Sequence, residues 1–387
     1  MITVFFLIFC CSVFLTFYTY AGYPLLLIIG KLIAKKSLQT DLNKSFINYR
    51  PLVNVVLSAF NEEKHIKERV KNLLDQKYPG DIEIYIGLDG CTDNTINELQ
   101  SFTNVGNVHI FNFEKNRGKI SVINELLENI KDGLVVFTDA NTMFENNAIG
   151  HLVNAMSDPA IGGVSGKLVL FNKQQSGNIE NSYWQYETII KELESQFKMF
   201  LGANGAIYAI RREFYKPLPI NTIVDDFMIS MNVSIQGKTF IFTPNALAFE
   251  EASDNSQEEF KRRIRIGIGD YQALMWLIKD FGKMRTTTLF AFLSHKALRW
   301  FVPHLLILIV CATFVLSFTN AYFKWLFLCE FVTIIAFAGY MISNSRDKLP
   351  RLLRIPMYFL EINFALLIGF FKYFTKNYSG RWTRSAR

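Results

Sequence analysis

The sequence predicts an α/β domain on a mostly parallel, Rossmann-like sheet, flanked by membrane and interfacial helices. Three observations carry this. Short apolar β runs alternate with helical patterns between residues 53 and 138. Each run stops at a polar residue. The two ends of the chain hold apolar segments long enough to cross a bilayer.

The ends frame the rest. Residues 1–30 contain no charged side chain, and a span needs about 20 apolar residues. A cleaved signal peptide would begin basic and have a shorter apolar core, so residues 1–34 read as a retained anchor. Lys31, Lys35 and Lys36 follow, which places the next segment in the cytoplasm. Residues 301–374 hold three further candidates: 301–318, apolar apart from His304; 322–342, with Lys324 and Glu330; and 357–371, with Glu361 and Asn363. Carboxylates inside a membrane are costly and face a bundle interior or water. Ahead of them, residues 284–300 carry Leu289, Phe290, Leu293 and Leu298 on one side and His295, Lys296 and Arg299 on another, the pattern of a helix lying in the interface. Residues 375–387 form a basic tail. With the N-terminus outside, four spans would leave the C-terminus outside, whereas Lys372, Lys376, Arg381, Arg384 and Arg387 favour the cytoplasm. The Glu361 segment is therefore expected to be interfacial or re-entrant. The result is a multi-pass protein of the inner (plasma) membrane with its domain in the cytoplasm.

The net charge of +7 suits anionic lipid and anionic substrates. No zinc spacing or basic reading helix points to nucleic acid. Cys10, Cys11, Cys311 and Cys329 lie in apolar segments, so no disulfide framework follows. His65, His109 and His151 lack partners at ligand spacing. Nothing here sets an oligomeric state.

Residues 50–283 form the domain. The run at 53–58 is a strand, and Glu62 and Glu63 then load the first turn of a helix carrying Ile66, Val70, Leu73 and Leu74. Tyr78-Pro-Gly80 stops that helix. A second strand covers 82–88, a third 108–113, a helix 119–130 and a fourth strand 134–138. Short β–α connections make such a unit parallel and right-handed.

The strand ends bring chemistry together. Asn61 and Glu62 follow the first strand, Asp89 the second, Gly118-Lys119 the third, Asp139 and Asn141 the fourth. Parallel strands put all of these on one edge of the sheet, where open α/β sheets bind ligands. Two readings fit Asp139: a helix cap, or a carboxylate paired with a cation such as a divalent metal carrying a diphosphate.

Ser58-Ala-Phe-Asn-Glu62, Leu88-Asp-Gly-Cys-Thr-Asp93, Asn116-Arg-Gly-Lys119 and Thr138-Asp-Ala-Asn-Thr142 resemble the donor half of membrane-bound family 2 glycosyltransferases of GT-A fold. The stretch from Phe200 to Arg211, with Asn204-Gly205, is similar to that family's glycine-bearing segment, and Val224-Asp-Asp226 to its acidic base motif. Arg262-Arg-Ile-Arg-Ile266 occupies the place of its Gln-x-x-Arg-Trp signature. The resemblance spans roughly residues 50–280 and extends to polysaccharide synthases with flanking membrane helices.

The resemblance implies an inverting transfer of a hexose or N-acetylhexosamine from a UDP-sugar onto a glycan. Ala59, Asn61, Glu62, Asp89, Gly118, Lys119, Asn204, Gly205 and Arg262 would line the donor site. Asp139 and Asn141 would hold Mg²⁺ or Mn²⁺; Asn141 stands where the family often has a second Asp, and it ligates with less charge. Asp226 would be the general base, with Asp225 beside it raising its pKa by like-charge repulsion. Arg263 and Arg265 would stabilise the leaving diphosphate. Ile266 replaces the usual Trp, which removes the aromatic platform expected of a processive enzyme. The expected acceptor is a growing extracellular or capsular polysaccharide. Two alternatives stand beside it: one sugar added to a polyprenyl-linked glycan without translocation, and an inactive glycosyltransferase-like scaffold.

Overall fold

The computed structural model describes residues 1–34, 49–171, 179–251, 256–343, 350–376 and 378. Lys35, Lys36 and the tail residues Arg381, Arg384 and Arg387 lie outside the described residues.

One eight-stranded sheet organises the domain: β1 (Val53–Ala59), β2 (Ile82–Asp89), β3 (Val108–Phe113), β4 (Leu134–Phe137), β5 (Met143–Phe144), β6 (Ile161–Phe171), β7 (Tyr208–Arg211) and β8 (Thr239–Glu251). The order is β3-β2-β1-β4-β7-β6-β8-β5. β1 pairs parallel with β2 and β4, and β2 with β3. β7 runs antiparallel to both β4 and β6, β6 and β8 are parallel, and β5 closes the edge antiparallel to β8. The alternation expected from the sequence therefore holds through β4. Beyond it three of the four pairings are antiparallel, and the sheet as a whole is mixed, with four of its seven pairings parallel. From β1 the chain builds outward to β2 and β3, then returns to place β4 on the other side of β1. That reversal makes the carboxyl ends of β1 and β4 the switch point where α/β sheets open a crevice.

The helices fall on both sides. α1 (Ile2–Phe17), a π turn (Tyr18–Gly22) and α2 (Tyr23–Ile33) form the first helical run. Within the domain come α3 (Ile66–Leu74), α4 (Thr95–Glu98), α5 (Lys119–Glu128), α6 (Ala148–Ala155), α7 (Ile179–Gln196), α8 (Asp225–Ile235) and α9 (Ser256–Leu277). Then follow α10 (Thr286–Ala291), a π turn (Phe292–Ala297), α11 (Leu298–Ser317), α12 (Ala321–Ile342) and α13 (Arg351–Phe374). Glu62 and Glu63 precede α3 rather than opening it. Asn61 takes a left-handed φ of 57°, and the Glu62 carbonyl accepts the His65 and Ile66 N–H groups, so a turn separates strand from helix.

Strand alternation divides the apolar residues between two cores. Val53, Val55 and Leu57 of β1 face a layer with Ile66, Val70 and Leu73 of α3. Val56 faces the other layer, with Ile120, Ile123 and Leu127 of α5. That second core continues without a break into Tyr23, Leu27, Phe292 and Trp300, so the domain shares its interior with the end segments.

Four helical runs are long and apolar enough to cross a membrane: Ile2–Ile33, Thr286–Ser317, Ala321–Ile342 and Leu352–Phe374. The sequence separates 284–300 from the helix that follows, whereas the structure runs them together through the π turn. That turn carries His295 inward, and Arg299 follows it; neither faces outward as an interfacial polar stripe requires. Arg299 pairs with Glu187 of α7, and His295 Nδ1 meets Glu194 Oε1 at 2.7 Å. The Tyr23 hydroxyl donates to the same Glu194 oxygen at 2.9 Å. These side chains are buried, and they join α2, α7 and the 286–317 run through one polar cluster. α13 lies along α9: Phe364 stacks on Phe260, Gly369 meets Gly267, and Phe370 packs on Tyr271.

Removing one partner of a buried ion pair strands the other charge. Arg299→Leu should destabilise the protein by about 3–5 kcal/mol, and Glu187→Leu/Arg299→Leu together should recover much of the loss. Thermal unfolding followed by tryptophan fluorescence in detergent reads both.

Candidate active site

The crevice is built from the ends of β1, β2 and β4. Ala59 closes β1, buried. The Asn61 side chain accepts the Thr92 N–H at 2.8 Å and donates to the Thr92 hydroxyl at 3.1 Å. The Glu62 N–H donates to Thr95 Oγ1 at 2.8 Å. The segments after β1 and β2 are thus stitched together.

Asp89 closes β2 and is buried. Its two carboxylate oxygens accept the N–H groups of Arg117 at 2.7 Å and Gly118 at 2.9 Å. Gly90 allows the close approach: φ is +69°, and a Cβ there would lie 2.4 Å from the Asn116 nitrogen. These bonds pin the turn ahead of α5 and set where Lys119, the first residue of that helix, projects.

Lys119 projects into carboxylates. Its Nζ lies 2.9 Å from Asp139 Oδ1 and 3.3 Å from Asp225 Oδ2. Burial alone would lower the ammonium's pKa, but Asp139, Asp225 and Asp226 together hold it above its ordinary value. Asp226 shows the opposite response. Burial and its neighbour Asp225 push its carboxyl up to about 6, against the pull of Lys119 and of the Phe227 N–H that it accepts.

The glycine segment forms the opposite wall. Asn204 Oδ1 accepts the Ala206 N–H at 3.1 Å, and the Asn204 N–H reaches Ser165 Oγ at 3.3 Å. A methyl group on Gly205 would sit 3.3 Å from Asp226 Oδ2 and 3.7 Å from Asp139 Oδ2. The two acidic side chains, 87 positions apart in sequence by their numbers (226 less 139), therefore face one space, and Gly205 keeps it open. Asn141 donates its amide to Glu250 Oε1 at 3.1 Å, which leaves its carbonyl oxygen as the group it can offer a cation.

The basic motif divides. Arg265 is largely buried, which lowers its pKa, and it feels Asp225, Asp139 and Asp226. Arg262 lies one turn away on the same side of α9, 44% exposed and 3.5 Å from Glu259. Arg263 does not join the carboxylates as expected. It donates to the Tyr358 hydroxyl at 2.7 Å, lies over that ring and pairs with Glu259 at 3.0 Å, because its position on α9 faces α13.

Arg69 went unnoticed in the sequence. It is fully buried, its guanidinium lies 4.1 Å from the Phe144 ring centroid, and it donates to Asn72 Oδ1 at 2.6 Å and Thr138 Oγ1 at 2.7 Å. The Thr138 hydroxyl in turn donates to the Ala206 carbonyl at 2.8 Å. This chain ties the strand end bearing Asp139 to the segment bearing Gly205. Burial lowers the Arg69 pKa to about 9 against the pull of Asp139. Its place three residues after Ile66 and four before Leu73 was the available signal, since that spacing turns it inward.

Comparison with known proteins fits this geometry. Residues 54–217 match the glycosyl transferase family 2 model. The chain carries a family 2 glycosyltransferase domain and is an enzyme of that class. It is 22% identical over 342 residues to a poly-β-1,6-N-acetyl-D-glucosamine synthase of Staphylococcus epidermidis, covering 82% of each chain. To the synthase of that name from Staphylococcus aureus (strain COL) it is 24% identical over 252 residues, 61% of this chain and 60% of the relative. The fold is similar to that of the mannosyltransferase PcManGT from Pyrobaculum calidifontis, solved in complex with GDP-Man and Mn²⁺. The TM-score is 0.72 at 19% identity, covering 96% of this chain and 100% of that one.

Gly205 has no positive φ, so alanine there meets no backbone strain and only fills the space between Asp139 and Asp226. Gly205→Ala should keep the folded circular dichroism spectrum and lose turnover by about 10²-fold, the scale of a misplaced reacting group. Near-normal turnover would show that the space is not used.

Proposed function

We propose that the protein transfers a hexose or N-acetylhexosamine from a UDP-sugar, with inversion, onto a growing extracellular or capsular polysaccharide. The observation that carries this reading is the shared space between Asp139 and Asp226, walled by Gly205. The synthase relatives support the choice of a polymer and of an N-acetylhexosamine.

The site residues fit a divalent ion. The Lys119 ammonium, a tethered cation, already stands between Asp139 and Asp225. Among the described residues no group of three or more His, Cys, Asp or Glu side chains could hold an ion unaided, so diphosphate oxygens would complete the set. Asp139 and the Asn141 carbonyl oxygen would hold Mg²⁺ or Mn²⁺. When bound, the ion neutralises charge developing on the leaving diphosphate. Arg265, and Arg262 on the same side of α9, add positive charge for that group. The ends of β1 and β2, with Asn61, Glu62 and the Asp89-pinned turn, form the nucleotide side. Asp226 takes the proton of the acceptor hydroxyl as oxygen attacks the anomeric carbon from the face opposite the diphosphate. A carboxyl near pKa 6 is largely ionised at neutral pH and still basic enough to accept it.

The four membrane-suited runs support a multi-pass protein of the inner (plasma) membrane with its catalytic domain on the cytoplasmic side, where UDP-sugars are made. The packing of α13 along α9 supports an interfacial α13, which returns the C-terminus to the cytoplasm.

One observation favours a second reading. Ile266 is 40% exposed and offers no ring for a sugar to rest on, which suits one addition to a lipid-linked glycan. Sizing the product made by purified protein from a panel of UDP-sugars, with Mg²⁺ or Mn²⁺, separates the two: a ladder supports the polymerase, a single-sugar increment the alternative. No metal-dependent UDP release from any donor would overturn both.

Asp226→Asn should lower turnover by about 10² or more while UDP binding survives. In the parent protein the carboxyl must be deprotonated to act, so kcat/KM should fall as pH drops through about 6. Asp225→Asn removes the adjacent like charge and should move that acid limb to lower pH. An unmoved limb would assign it to another group.

A further inference from the structure

Lys119 is expected to line the donor site, where a diphosphate would be its natural partner, yet its ammonium stands on Asp139 and Asp225. Both partners belong to the acidic wall, and Asp139 is the carboxylate best placed to ligate an ion. An ammonium at 2.9 Å and a divalent cation cannot share that oxygen's near side without strong repulsion. Resting on that functional reading, we infer that Lys119 is a built-in competitor for the metal position, so that the site takes up the ion only as its chelate with a nucleoside diphosphate.

Three features of the site lead there. Lys119 is the first residue of α5, and the turn before it is pinned by two backbone donors to Asp89, so its stem has a fixed root. From that root only the flexible end of the side chain moves, and an ammonium on a four-carbon stem can swing between partners. The protein's own ligands for an ion are few. Among the described residues no third His, Cys, Asp or Glu side chain completes a metal set. Asn141, committed through its amide nitrogen to Glu250, adds only a neutral oxygen. A bare ion must therefore displace an ammonium held by two carboxylates and gains little in return. A diphosphate changes both sides of the exchange: it brings anionic oxygens for the ion and a new anionic partner for Lys119. Donor and metal then bind with positive coupling, and each tightens the other by the same factor.

The experiment uses the full chain in detergent and follows Mn²⁺ by electron paramagnetic resonance, with and without UDP. In the parent protein bare Mn²⁺ should bind weakly and UDP should bring it in. Lys119→Met should bind bare Mn²⁺ at least about tenfold more tightly, in line with the coupling of close charge pairs, and should lose most of the enhancement by UDP. Lys119→Arg keeps the charge and should remain weak for the bare ion. Lys119→Gln serves in place of the methionine variant if that one fails to fold. If the neutral variants fold but bind bare Mn²⁺ no more tightly than the parent, while the parent still takes up Mn²⁺ with UDP, the competitor role is wrong and the nucleotide site stands. If the parent takes up no Mn²⁺ even with UDP, the nucleotide-site reading fails and this inference falls with it.

Discussion

Lys119 sits where the two halves of the domain meet. Asp139 follows a strand of the parallel half by two residues, and Asp225 and Asp226 open a helix of the second half. Three carboxylates so close would repel one another at low dielectric and spread the walls apart. The ammonium of Lys119 at 2.9 and 3.3 Å offsets that repulsion on one side, and the buried guanidinium of Arg69 lies behind Asp139 on another. The cleft is a compromise between clustered negative charge and the cations that make clustering tolerable. On the proposed reading, a divalent ion and the diphosphate it carries would replace one set of counter-charges with another.

The scaffold holds that compromise in place from two directions. From the sheet side, Asp89 fixes the root of Lys119, and the Arg69–Thr138–Ala206 chain fixes the distance between the strand end and the glycine segment. From the other side, the second core of the domain runs into Tyr23, Leu27, Phe292 and Trp300; the Glu187–Arg299 and Glu194–His295 pairs lock α7 to the 286–317 run, and the Tyr23–Glu194 bond ties it to α2. The catalytic domain is therefore packed as one body with the segments suited to the membrane. On the proposed reading, an acceptor at Asp226 would meet that packed body rather than a tethered globule.

The sequence made the first half of the domain legible because its signals are local. Apolar strand runs, short turns and polar strand ends marked β1 to β4 to within a residue or two, and they placed Asp89, Lys119 and Asp139 on one edge. The motifs after residue 200 gave Gly205 and Asp226 only through resemblance, since nothing local says that a glycine 21 residues before an acid (226 less 205) will face it. What stayed hidden depended on tertiary partners. β7 gives no sign of running against β4, because direction in a sheet is set by connections. The split between Arg263 and Arg265 depends on α13, some 95 residues further on from Arg263 to Tyr358. His295 and Arg299 looked like a headgroup-facing stripe, because a π turn and two buried glutamates leave no periodic trace in the chain.

The proposed mechanism requires one arrangement: Asp139 and Asp226 on facing sides of a single nucleotide-sugar cleft, with Lys119 able to leave the carboxylates for a diphosphate. Anomalous scattering from Mn²⁺ in crystals grown with a UDP-sugar tests it most directly. A peak is expected about 2.0–2.5 Å from the Asp139 carboxylate, with Lys119 Nζ on the diphosphate and Asp226 facing the anomeric carbon. A peak away from Asp139, or a donor sugar bound beyond the reach of Asp226, would contradict it.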